Sequence, residues 1–168
     1  MKKNKKAVSI MIGYVLLITI AIIMSVVIYQ WMRSYVPKDI LTCPEEVSIY
    51  IKNLECSGTQ LNLTLRNNGQ FNIAGYFIHA TKKPDQELAT LDLSQSVVET
   101  NQIQGNAIIF DYLSLNSLKP NQEKTNYFNL NDTIYSLEIT PVRYQGEENK
   151  MRLVNCGNSK VKESIICG

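Results

Sequence analysis

Histidine and tryptophan each occur once in the 168 residues, as His79 and Trp31. A single imidazole removes most triad and acid-base arrangements, and no serine sits in a G-x-S-x-G elbow. No Cys-x-x-Cys pair exists and His79 lies far in sequence from any cysteine, so the spacing of a zinc site is missing and His79 reads as a partly buried strand residue. None of the eight glycines belongs to a phosphate-cradling loop. Acidic residues are scattered except at Glu45-Glu46 and Glu147-Glu148, near turns, where solvated charge is the ordinary role. The chain is therefore read as no enzyme, with no catalytic, cofactor-binding or metal-binding residues to name. Charge of one sign is also short: the formal net charge is +2, and four lysines among the first six residues supply more than all of it. Without residues 1–7 the count is 13 basic against 15 acidic, which leaves no nucleic-acid footprint.

What is present begins with Ala7 to Met32, 26 residues without a charged side chain, preceded by Lys2, Lys3, Lys5 and Lys6 and followed by Arg33. As a helix this run reaches roughly 38 Å, enough to cross a hydrocarbon core of about 30 Å. It is too long for the apolar part of a secretory signal, and no A-x-A site closes it. Its polar residues Ser9, Thr19, Ser25 and Gln30 share no face, unlike those of a helix buried in a soluble core. The lysine cluster predicts a cytoplasmic N-terminus and places the rest of the chain outside the cell. Tyr29, Trp31 and Tyr35 are the interface anchors at the far end. Ser9, Gly13, Ala21 and Ser25 are small residues spaced by multiples of four, the texture that lets helix backbones approach closely in an apolar medium.

The run KKAVSIMIGYVLLITIAIIMSVVIYQW resembles the N-terminal segment of archaeal type IV pilin-like proteins, the superfamily that includes the archaellins. That resemblance covers about the first 35 residues and implies a class III signal peptide cut by a prepilin peptidase. By it, Lys5 and Lys6 are the basic end of a leader 1–7, and the cut falls between Ala7 and Val8, so the helix stays with the mature protein. Bacterial type IV pilins carry a glutamate at the fifth mature position, where this chain has Ile12; many archaeal pilin-like sequences are similar in lacking it.

Beyond the helix, taken as 8–36, a connector 37–44 holds Pro37 and Pro44, and a domain of about 120 residues, 45–168, follows. Here the apolar period changes to two: Val47, Ile49 and Ile51, then Leu61, Leu63 and Leu65, alternate with polar neighbours around a turn at Ser57-Gly58. Asn67-Asn68-Gly69 reads as a turn using positive φ. Further strands are expected at Phe71 to Thr81, Ala107 to Leu115, Asn126 to Leu130, Ile134 to Tyr144, Met151 to Asn155 and Val161 to Cys167. Glu87 to Gln102 fits either a short helix or an irregular excursion. The expected fold is α+β: one long transmembrane helix, then an extracellular antiparallel β-sandwich. The segments IKNLECSGTQLNLTLRNNGQFNIAGYFIHA and SLKPNQEKTNYFNL are similar to the immunoglobulin-like domains of archaeal surface proteins.

Cys43, Cys56, Cys156 and Cys167 all lie beyond the helix, where an extracellular setting permits two disulfides. Cys43 and Cys56 bracket a strand whose ends stand roughly 30 Å apart, whereas bridged Cα atoms lie within about 7 Å. The bridges are thus expected to tie the first strand to a C-terminal hairpin, as Cys43 to Cys156 with Cys56 to Cys167, or Cys43 to Cys167 with Cys56 to Cys156. Asn62-Leu63-Thr64 and Asn131-Asp132-Thr133 match the glycosylation acceptor pattern, with Asn62 on the polar side of its strand. The expected function is a structural subunit of a type IV pilus-like surface filament, partnered by the membrane, the prepilin peptidase, copies of itself or other pilin-like subunits. The alternative is a membrane-tethered binding module or adhesin that does not polymerise.

Overall fold

The computed structural model describes residues 5–35, 42–99, 102–146 and 151–168, with helix side chains from Met11 onward. The chain divides into two compact units between Ile40 and Leu41. Pro37 and Glu147-Glu148 lie outside the described residues.

The first unit is one helix, α1 (Lys5–Tyr35), 31 residues long. Isoleucine and valine fill much of it, and these are modest helix formers in water. In hydrocarbon only intrahelical hydrogen bonding satisfies the backbone, and the helix is then the required conformation. Over Met11–Tyr35 it is long and apolar enough to cross a membrane.

The second unit is built from antiparallel strands in two sheets. They are β1 (Ile49–Ser57), β2 (Gln60–Asn67), β3 (Gly75–Thr81), β4 (Leu91–Asp92), β5 (Ile103–Gln104), β6 (Ala107–Ile109), β7 (Glu123–Asn129), β8 (Ile134–Gln145), β9 (Arg152–Asn155) and β10 (Val161–Cys167). One sheet has the order β1-β2-β7; the other runs β10-β8-β3-β6-β5, with β4 beside β3 and β9 beside β8. Strict alternation explains β2: Leu61, Leu63 and Leu65 are buried while Asn62, Thr64 and Arg66 stay half-exposed. These leucines and Phe128 of β7 join Tyr76, Ile78, Leu137 and Ile139 of the other sheet in one apolar cluster. At about 1.5–3 kcal/mol per fully buried large side chain, that cluster is the main force holding the two sheets together.

Several local expectations are corrected. The strand expected from Phe71 begins only at Gly75; Ile73 instead forms a lone bridge with Leu118. A Cβ on Gly75 would collide with the Ile108 carbonyl oxygen, so β3 and β6 meet where only glycine fits. The strand expected to reach Leu115 stops at Ile109, because the chain then leaves the ladder for a loop pinned by side chains. Asp111 Oδ1 accepts from the Leu113 amide at 2.9 Å, and Asn116 bonds both the amide and the carbonyl of Tyr144, at 2.9 and 3.1 Å. Of the two alternatives for Glu87 to Gln102, the irregular excursion is the one found: residues 87–99 hold β4, a 3-10 turn at Ser94–Ser96 and a bridge from Val97 to Phe128. At Asn67-Asn68-Gly69 no residue takes positive φ. Gly69 is there for a close approach, since a Cβ would strike Glu46 and Ser48 backbone. Asn67 is buried and its amide bonds Phe71 O, Leu118 O and Gly69 N, which sews two loops together.

The expected C-terminal hairpin is absent. Val142 of β8 pairs with Asn155 of β9, and Ile139 pairs with Val161 of β10, while β3 occupies the opposite edge of β8. So β9 and β10 are two pieces of one strand line, running the same way along one edge, with Cys156–Lys160 looped out between them. Pro141 lies opposite that interruption. Its carbonyl accepts from Cys156 N at 2.9 Å, so its missing N–H falls on the side where no donor is used.

Candidate functional site

Every described side chain of α1, from Met11 to Tyr35, is exposed. Its hydroxyls turn inward on the helix itself: Thr19 Oγ1 donates to Leu16 O at 2.9 Å, and Ser25 Oγ to Ala21 O at 2.7 Å. Such back-bonding hides the polar groups that an apolar surrounding would penalise. Gly13 has open space where a Cβ would be, and with Ala21 and Ser25 it is available to a neighbour. The side chains of Lys5, Lys6, Ala7, Val8 and Ser9 lie outside the described residues; the backbone of all five is already within α1. At the other end Trp31 and Tyr35 stack edge to face, ring centroids 5.1 Å apart, and Tyr29 is exposed beside them in sequence.

The four cysteines form Cys43–Cys156 and Cys56–Cys167, with Cα separations of 5.1 and 5.6 Å. This is one of the two pairings left open by spacing. It follows from β1 and β10 running in the same sense, so that early joins early and late joins late. β1 is the outer strand of its sheet and β10 of the other, and the bridges fasten these two edges at both ends. Ser159, in the looped-out segment, adds a hydrogen bond from its hydroxyl to Val47 O. An edge strand is a template for unwanted pairing, and the stapled edges are less free to open.

The two sequons differ. Asn131 is exposed in the turn before β8. Asn62 is half-buried in the middle of the β1-β2-β7 sheet between Glu55 and Tyr127, and its Oδ1 is buried with no hydrogen-bond partner among the described residues. Asn131, in its exposed turn, is the more accessible acceptor of the two.

Two polar arrangements carry no local signal in the sequence. Tyr76 is fully buried and its hydroxyl donates to Asn126 Oδ1 at 2.9 Å, while Asn126 Nδ2 donates to Glu99 Oε2 and Gln102 Oε1, each at 3.1 Å. Burial, and then the nearby Glu99 carboxylate, push the Tyr76 phenol well above its ordinary value. The network holds the irregular stretch before β5 against β7. Arg143 lies over the Phe71 ring, 4.8 Å from its centroid, and burial lowers its pKa. His79 is half-buried in β3, its ring 6.5 Å from that of Phe77. Among the described residues no three of His, Cys, Asp and Glu gather as metal ligands would. A comparison with protein-family models and with curated proteins finds no match for the chain.

Proposed function

We propose that the chain is a structural subunit of a type IV pilus-like surface filament, held in the membrane by α1 until assembly. In this reading a prepilin peptidase cuts between Ala7 and Val8, the N-terminus faces the cytoplasm, and the β unit, an immunoglobulin-like sandwich, lies outside. The supporting observation is that α1 is apolar on all sides, with Met11 to Tyr35 exposed. Such a surface needs an apolar surrounding, which either lipid tails or a bundle of like helices provides. The small residues Gly13, Ala21 and Ser25 favour close helix neighbours, and cystine staples suit a compartment where thiols stay oxidised. Electron microscopy of filaments sheared from cells, with antibody against the β unit, tests the reading. Labelled filaments along their length are expected; a chain found only in the membrane fraction, with no labelled filament, overturns it in favour of a monomeric tether.

A further inference from the structure

We propose that Asn68-Gly69 is a latent self-modification site, held closed by the fold and released when the turn at Asn67 opens. It is the one asparagine in the sequence that is followed by glycine. In such a pair the glycine nitrogen can attack the asparagine side-chain carbonyl, because glycine has no Cβ to hinder the approach. The Gly69 N–H is deprotonated by hydroxide, and its nitrogen bonds to Asn68 Cγ. The Asn68 side-chain nitrogen takes a proton from water and leaves as ammonia. Water then opens the five-membered imide at one of its two carbonyls, giving aspartate or isoaspartate at position 68. Solvent supplies every co-reactant, and Asn68 is exposed to it.

The fold denies both motions that this needs. The attacking nitrogen must give up its proton, yet Gly69 N donates to Ser48 O at 3.1 Å and to Asn67 Oδ1 at 3.0 Å. The Asn68 backbone must turn to bring Cγ over that nitrogen, yet Asn68 N donates to the same Ser48 O at 3.0 Å, and Gln70 N to Glu46 O at 3.0 Å. Three consecutive amides are thus held on the segment before β1. Asn67 is buried, and its Nδ2 is bonded to Phe71 O and Leu118 O, so the clasp has its own support. Breaking these bonds together is a local opening, and the reaction runs from the opened state.

The two products fare differently when the turn closes again. Aspartate at 68 alters an exposed side chain and leaves the main chain as it was. Isoaspartate puts an extra carbon into the main chain just before Gly69, where even one added Cβ would strike the Glu46 and Ser48 backbone. The lengthened turn cannot regain its bonds to Ser48 O and Glu46 O together, so an isoaspartyl chain stays open there.

The test holds the full chain in mild detergent, cystines intact, in mildly alkaline buffer with and without concentrated urea, and follows residue 68 by peptide mapping. The expected rate of ammonia loss at Asn68 is at least about tenfold lower without urea. A smaller ratio overturns the closed site. The urea sample is then diluted and given a brief pulse of trypsin, which cuts after Arg66 where the turn is open. Unmodified chains in the same tube are the reference. Cutting confined to isoaspartyl chains, with asparaginyl and aspartyl chains spared, is expected; equal cutting of isoaspartyl and unmodified chains overturns the claim that the longer turn cannot close.

Discussion

Replacing Cys56 and Cys167 together by alanine opens one staple and leaves the other. Each bridge taken alone closes a loop of just over 110 residues, as the sequence separations are 113 and 111. The chain-entropy relation then gives about 4.8 kcal/mol. The bridges enclose nearly the same loop, however, and this changes the expectation. With Cys43–Cys156 in place, the second bridge closes only the short circuit from Cys43 to Cys56 and from Cys156 to Cys167, about 24 residues, worth about 3.4 kcal/mol. Either pair replaced alone thus costs about 3.4 kcal/mol, and both pairs about 8 kcal/mol, more than the sum of the singles. Eight is within the usual total stability of a domain, so the four-alanine protein is expected to be largely unfolded. Pulse proteolysis of the full chain in mild detergent across a urea series measures this. The single-staple variants are expected to shift the midpoint downward by roughly 1–3 M urea. Singles that cost under about 1 kcal/mol, or a four-alanine protein within about 2 kcal/mol of the parent, would refute the loop argument.

Gly75→Ala drives a Cβ into the Ile108 carbonyl oxygen between two paired strands, and a loss of more than about 3 kcal/mol is expected by the same urea assay. Tyr76→Phe leaves Asn126 Oδ1 without its donor and costs about 1–3 kcal/mol. Because the folded-state pKa of Tyr76 is raised, its contribution is whole below the unfolded value of 10.0 and fades as pH climbs above it. The parent therefore loses stability from about pH 10 upward, and Tyr76→Phe lacks that part of the alkaline decline, which unfolding midpoints at pH 9 and 11 detect. Glycopeptide mapping of chain from its native cells is expected to find sugar on Asn131 and none on Asn62; sugar on Asn62 alone would contradict the half-buried setting of that side chain.

The helix and strand β2 are legible in the sequence because each is written in a local period: an uninterrupted apolar run in one, Leu61, Leu63 and Leu65 in the other. The features that differ from the local pattern depend on relations between distant segments. Gly157-Asn158 signals a turn, yet local composition does not say whether the chain reverses or resumes along the same edge, which it does after Ser159. Cysteine spacing excluded pairing within one strand but left two cross-pairings, since the sense of β10 relative to β1 is set by the whole topology. Phe110, Leu113 and Leu115 look like a continuing strand, and only Asp111 and Asn116, with partners that spacing does not reveal, turn them into a presented loop. The Asn67-Asn68-Gly69 composition suggests positive φ, whereas Gly69 serves to leave room for the Glu46 and Ser48 backbone. The Tyr76–Asn126 pair had no signal, because a tyrosine and an asparagine 50 residues apart acquire meaning only when folded.

Under the proposed reading, the mature protein keeps its apolar N-terminal helix and carries a β unit locked by two cystines. Intact mass of the chain purified from membranes of its native cells, without reductant, tests it most directly. The expected mass is that of Val8 to Gly168 less four hydrogens, plus any glycan. A chain that still begins at Met1, one that begins beyond Tyr35, or one with four free thiols would contradict it.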